Sequence, residues 1–208
     1  MTMSNFQHFA EFQLDVLKEV GNIGAGNAAT ALSRLLDRQI DMHVPLVQML
    51  PFEEIIEVLG GSEQVVLAVF LQVSGEAPGN MFLILTMSSA KWLLKNLQGI
   101  EVVEQDSFSD MELSALGEIG NILAGSYLTS LADFTNLSMS PSVPSLAIDM
   151  LGAVISNGLI QYGMMGDHAL FIDTTFYEGS DAVEGHVFLV PNPESFEKIF
   201  SALGVPLE

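Results

Sequence analysis

A block of 23 residues occurs twice in this chain, and any fold must accommodate both copies. Leu14–Leu36 reads LDVLKEVGNIGAGNAATALSRLL; 99 residues later, without a gap, Leu113–Thr135 reads LSALGEIGNILAGSYLTSLADFT. Val44-Pro45 recurs as Val143-Pro144 at the same offset, and GNMFLIL from Gly79 recurs as GHVFLVP from Gly185 at an offset of 106. Self-similarity on this scale means one structural unit used twice.

The period of each unit predicts a long helix, an extended segment around the Val-Pro pair, a short helix, two strands and a closing helix at Ser88–Leu97 or Glu194–Leu203. VVLAVFLQV and GNMFLIL supply the strands of the first half, and ALFIDTTF and GHVFLVP those of the second. Ser109 followed by Glu112 marks a capping box at the start of the second long helix. The repeats span about residues 10–98 and 109–205, with Gln98–Phe108 as connector and no Gly/Ser linker. The expectation is one α+β (α/β) domain over residues 1–208. Its two pseudo-twofold halves would pack their long motif helices on a shared, mainly antiparallel sheet.

On a helix turning 100° per residue, Asp15, Glu19, Asn22 and Gly26 fall within about 60° of one another. Ser114, Glu118, Asn121 and Gly125 take the same four places in the second copy. Leu17, Val20 and Ala31, or Leu116, Ile119 and Ser130, lie on the far side and are expected to face the core. Solvated residues drift between copies of a repeat, as Lys18 has become Gly117, yet the Glu, the Asn and the paired Gly are kept. A glycine beside an exposed asparagine leaves room for another molecule to approach closely. A docking stripe fits that pattern better than an ordinary wet helix face.

Other chemistries lack their parts. Six Lys and Arg against 26 Asp and Glu give a net charge of −20, which repels nucleic acid and anionic membrane surfaces. The longest uncharged run, Met150–Gly166, is too short and too polar to span a bilayer, and Met1–Gln13 lacks the pattern of a secretion signal. With no Cys there is no disulfide framework, so a cytoplasmic protein is expected. His8, His43, His168 and His186 show no ligand spacing, and an Asp15/Glu19 chelate would exist in one copy alone; no metal is expected on this chain. Gly24–Ala29 matches a dinucleotide fingerprint but follows helical rather than strand periodicity. No G-x-S-x-G elbow is present.

The paired blocks DVLKEVGNIGAGNAATAL and SALGEIGNILAGSYLTSLADF resemble the CheC family of chemotaxis phosphatases. Its signature is Asp or Ser, three residues, Glu, two residues, Asn, and a distant Pro. The chain carries it twice: Asp15, Glu19, Asn22 and Pro45, then Ser114, Glu118, Asn121 and Pro144. Two copies without an appended switch domain look like the stand-alone members rather than the single-copy CheX-like or the longer FliY-like ones.

The resemblance implies hydrolysis of the phosphoaspartate on the response regulator CheY. Asn22 and Asn121 would each position a water, while Glu19 and Glu118 anchor a lysine of the regulator. It implies no cofactor on this chain, Mg²⁺ being held by the regulator. Asp15, Ser114, Gly26 and Gly125 would extend the docking surface; Pro45 and Pro144 would fix extended segments rather than touch substrate. CheC proteins also bind CheD, a receptor-modifying deamidase, through the helix after the second Pro, here expected at about Ser145–Tyr162 and containing Asp149. The alternatives are a module that sequesters CheD or CheY-phosphate without hydrolysis, and a FliY-like switch component.

Overall fold

Each half runs helix, two short strands, short helix, two long strands, helix. The first half comprises α1 (Glu11–Leu36), β1 (Asp41–His43), β2 (Val47–Pro51), α2 (Phe52–Val58), β3 (Val65–Gly75), β4 (Gly79–Thr86) and α3 (Met87–Lys95). The second comprises α4 (Asp110–Thr135), β5 (Met139–Pro141), β6 (Ser145–Met150), α5 (Leu151–Gln161), β7 (His168–Glu178), β8 (Asp181–Pro191) and α6 (Pro193–Ala202). This computed structural model describes residues 11–96, 108–161, 168–179 and 181–204, so most of the expected connector lies outside the described residues.

The long helices begin and end for identifiable reasons. At the start of α4 the Ser109 hydroxyl accepts from the Glu112 N–H at 3.3 Å, and the Glu112 carboxylate accepts from the Ser109 N–H at 2.7 Å. Two otherwise orphaned donors are satisfied, as the capping box predicts. At the other end, Asp37 after α1 and Asn136 after α4 occupy equivalent places and both turn left-handed, at φ 51° and 54°. Asp and Asn tolerate that conformation better than other side chains, so both helices stop at the same point of the repeat.

All pairings in the sheet are antiparallel, in the order β1-β7-β8-β4-β3-β5, with β2 also on β7 and β6 also on β3. The halves meet at β4 and β8, where Phe82 lies opposite Phe188. The edges are exchanged: β1 and β2 of the first half pair with β7 of the second, and β5 and β6 of the second pair with β3 of the first. Neither half owns a complete sheet.

Helices cover both faces. Leu17, Val20 and Leu32 of α1 and Leu116, Ile119 and Leu123 of α4 pack with α3 and α6 over Val69, Leu83, Val187 and Leu189. Phe52 and Ile55 of α2 and Leu151, Val154 and Ile155 of α5 cover Phe82, Phe171 and Phe188 behind. Burial on both sides explains why the central strands read as continuous apolar runs instead of alternating. Ala31 is only half-buried, whereas Ser130 is buried and accepts from Asn27 Nδ2 at 3.3 Å, joining α4 to α1.

The expected helix over Ser145–Tyr162 is corrected. Its first six residues form β6, because β3 of the other half offers a free edge to Ser145–Met150; the helix proper begins at Leu151. Asp149 therefore sits exposed on a strand, where its Oδ1 accepts from the Met150 N–H at 2.7 Å. Among the described residues no helix is long and apolar enough to cross a membrane.

Candidate active site

Because their apolar sides are buried on the sheet, α1 and α4 turn their polar stripes outward. Asp15, Glu19 and Gly26 are exposed and Asn22 is half-buried; Ser114 and Glu118 are exposed, and Asn121 and Gly125 half-buried. All eight residues lie where a visiting protein can reach them. A Cβ built at Gly26 or at Gly125 meets nothing within 4 Å, so the space over each glycine is open from this chain's side. The Gly24–Ala29 segment is the middle of α1, with no strand feeding it.

The glycine one residue before each asparagine has a different task. At Gly21 a Cβ would lie 3.6 Å from Val44 Cγ1, and at Gly120 it would lie 2.7 Å from Val69 Cγ1. These glycines let the helices settle against what lies beneath, and so set the depth at which the asparagines emerge.

One contact was not legible in the motif. Between β1 and β2 the chain forms a short strap, Val44–Leu46, and the Val44 N–H donates to Asn22 Oδ1 at 3.2 Å. No sequence signal announces a main-chain donor. Pro45, exposed at the middle of this strap, interrupts pairing and has no N–H to give the stripe's helix. Past Gly26 the stripe opens into a groove of about 590 Å³ lined by Thr30, Arg34, Asp37 and Asp41 among others. Its mixed charges give it no single sign.

Chemically, each stripe offers a carboxylate one turn from a carboxamide. The carboxylate can pair with a cation, and the carboxamide can donate and accept at once, which suits it to hold a water against an electrophile.

The comparisons with known proteins bear on family and fold. The profile of the CheC-like family matches residues 12–48 and 111–148, which are the two motif helices with their Val-Pro segments. The CheY-P phosphatase CheC of Bacillus subtilis (strain 168) is 45% identical over 212 residues, covering 99% of this chain and 100% of that protein. Among solved structures, FliY of Thermotoga maritima superposes with a TM-score of 0.77 at 20% identity, over 94% of this chain and 98% of that one. The CheX-CheY-BeF3-Mg complex of Borrelia burgdorferi gives a TM-score of 0.50 at 16% identity, over 81% and 96%. At these identities the two structures speak to the fold, whereas the full-length relative and the doubled motif speak to ancestry: the chain belongs to the CheC-like family.

Proposed function

We propose that this protein is a phosphatase that hydrolyses the phosphoaspartate of CheY, with one site on α1 and a second on α4. The observation that carries the reading is the outward-facing Glu/Asn/Gly stripe present in both copies, on a chain 45% identical from end to end to a protein named CheY-P phosphatase.

In this reaction a water attacks phosphorus, the acyl phosphate P–O bond breaks, and inorganic phosphate leaves the regulator with its carboxylate restored. Phosphoryl transfer of this kind needs positioning and charge neutralisation rather than covalent chemistry. The regulator brings the phosphoryl group and its Mg²⁺. Asn22 or Asn121 holds the water in line, and Glu19 or Glu118, one turn back, anchors the regulator through a lysine beside the phosphate. Asp15, Ser114 and the open surface over Gly26 and Gly125 complete the docking stripe. The same reading places the protein in the cytoplasm and extends to CheD, for which the exposed Asp149 on β6 is the expected contact.

The test is to mix the protein with Mg²⁺ and phosphorylated CheY and follow the loss of phosphate. Asn22→Ala and Asn121→Ala together should bring the rate down by roughly 10² to 10³, equivalent to about 3–4 kcal/mol of lost transition-state stabilisation. Wild-type protein that binds phosphorylated CheY without hastening its decay would make it a sequestering module instead. A fully active double variant would remove the asparagines from the mechanism.

A further inference from the structure

The two copies hold their asparagines differently. In the first, Val44 is fully buried against Gly21, and its N–H is bonded to Asn22 Oδ1. The strap is also fixed from the sheet side, where the Asp173 N–H donates to the Leu46 carbonyl at 3.0 Å. In the second copy the corresponding Val143 is 86% exposed, and α4 rests at Gly120 directly on Val69 of β3. There the connection between β5 and β6 closes on β3 through Ser142, whose N–H donates to the Gln72 carbonyl at 2.8 Å and whose Oγ accepts from the Gln72 N–H at 3.0 Å. Among the described residues the Asn121 carboxamide has no hydrogen-bond partner.

We infer that the Val44–Leu46 strap is a positioning device for the α1 site alone, and that the α4 site works without one. The inference rests on the phosphatase reading. A carboxamide can present either of its two edges, but a backbone N–H can be met only by the oxygen. The bond to Val44 therefore selects one orientation of Asn22, with Oδ1 toward the strap and both Nδ2 hydrogens free for the visiting phosphoryl group and its water. One lone pair of Oδ1 remains to accept from that water. Asn121 takes up its working orientation only when the regulator docks, and loses side-chain freedom at that moment. Pro45 stiffens the strap by fixing its own φ near −65°, and so holds the Val44 N–H over the helix.

The experiment isolates each site. In an Asn121→Ala background only the α1 site reports, and in an Asn22→Ala background only the α4 site does. Pro45→Ala is introduced into both, and kcat and KM for phosphorylated CheY are measured. At the α1 site kcat should fall about tenfold or more with KM unchanged, because docking through Glu19 survives while the amide loses its fixed direction. At the α4 site the rate should stay within twofold, which also certifies the fold. Amide hydrogen exchange gives a readout independent of activity: Asn22→Ala should speed exchange at Val44, and Asn121→Ala should leave Val143 as it was. An equal fall at both sites would make Pro45 a general prop and overturn the inference; so would an unchanged α1 site, or unchanged exchange at Val44. A wild-type rate no faster than spontaneous decay would remove the phosphatase reading and this inference together.

Discussion

Gly24 of α1 lies against Tyr127 of α4 so closely that a Cβ at position 24 would stand 2.9 Å from Tyr127 Cδ1 and 3.1 Å from its Cα. The ring cannot easily swing away, because its hydroxyl is 2.9 Å from Thr174 Oγ1 in a fully buried hydrogen bond. Burial pushes that hydroxyl's pKa up to about 12, above its ordinary 10.0. Replacing Gly24 by Ala improves helix propensity by about 1 kcal/mol, but forcing a methyl into a packed interface costs about 1–3 kcal/mol. Gly24→Ala should therefore lower the urea midpoint, and a stabilised variant would show that the helices separate more freely than their packing implies.

Gly26 and Gly125 should behave in the opposite sense. Their added methyl groups meet nothing within this chain, so each Ala variant should gain close to the full helix-propensity difference, about 0.8–1 kcal/mol. On the proposed docking the same methyl would stand in the regulator's way, and dephosphorylation at the corresponding site should slow several-fold. Thermal melts and single-site rates measured together check this; a higher melting temperature with an unchanged rate would remove the glycines from the docking surface.

His186 carries a pH dependence of stability. It lies on β8 opposite Asp173 of β7, with Nδ1 and Oδ1 3.1 Å apart yet not aligned as a hydrogen bond, and its ring stacks on Phe171. Burial holds its pKa below the ordinary 6.5, outweighing the upward pull of Asp173 and Glu184. The unfolded chain thus takes up a proton more readily than the folded one. The stability is present above pH 6.5 and is lost as pH falls through the folded value. Urea midpoints should drop between pH 7.5 and 5.5 in the wild type and drop less in His186→Phe, which keeps a ring beside Phe171. Equal slopes would assign the loss to other groups.

The capping box of α4 gives a fourth expectation. The Ser109 N–H and hydroxyl both donate to Glu112 and hold its carboxyl below the ordinary 4.5, against a smaller opposing effect of burial. Ser109→Ala should cost about 1 kcal/mol at neutral pH. Since the folded pKa is depressed, the carboxylate's share of stability is present above pH 4.5 and lost as the pH falls through its folded value. The variant keeps the backbone donor and lacks only the hydroxyl's part, so its difference from wild type should narrow in acid, leaving the bond from the Glu112 N–H to the Ser109 hydroxyl. A difference that persisted unchanged at pH 3 would locate the effect elsewhere.

Much of this architecture could be read from the residues, and what escaped did so for physical reasons. Apolar runs such as VVLAVFLQV marked β3, β4, β7 and β8, because strands covered on both faces need apolar residues throughout. Ser145–Met150 was unreadable as a strand, since SLAIDM forms β6 only where β3, some eighty positions earlier, lends it an edge. Local periodicity carries no information about so distant a partner. The stripe itself was legible, because helical spacing and repetition both act within a few turns. The bond from Val44 to Asn22 was not, and neither was the contrast between buried Val44 and exposed Val143: the two dipeptides are identical, and only their surroundings differ.

The exchanged sheet edges make this single chain the covalent counterpart of a twofold homodimer whose subunits embrace. Tethering replaces a bimolecular encounter by an intramolecular one, at an effective concentration of the order of millimolar, so dilution cannot dissociate the partners. Tethering also releases the copies from enforced identity. In a true homodimer every substitution appears twice, whereas here each half has its own residues, and one asparagine can be bonded to the main chain while its counterpart is not.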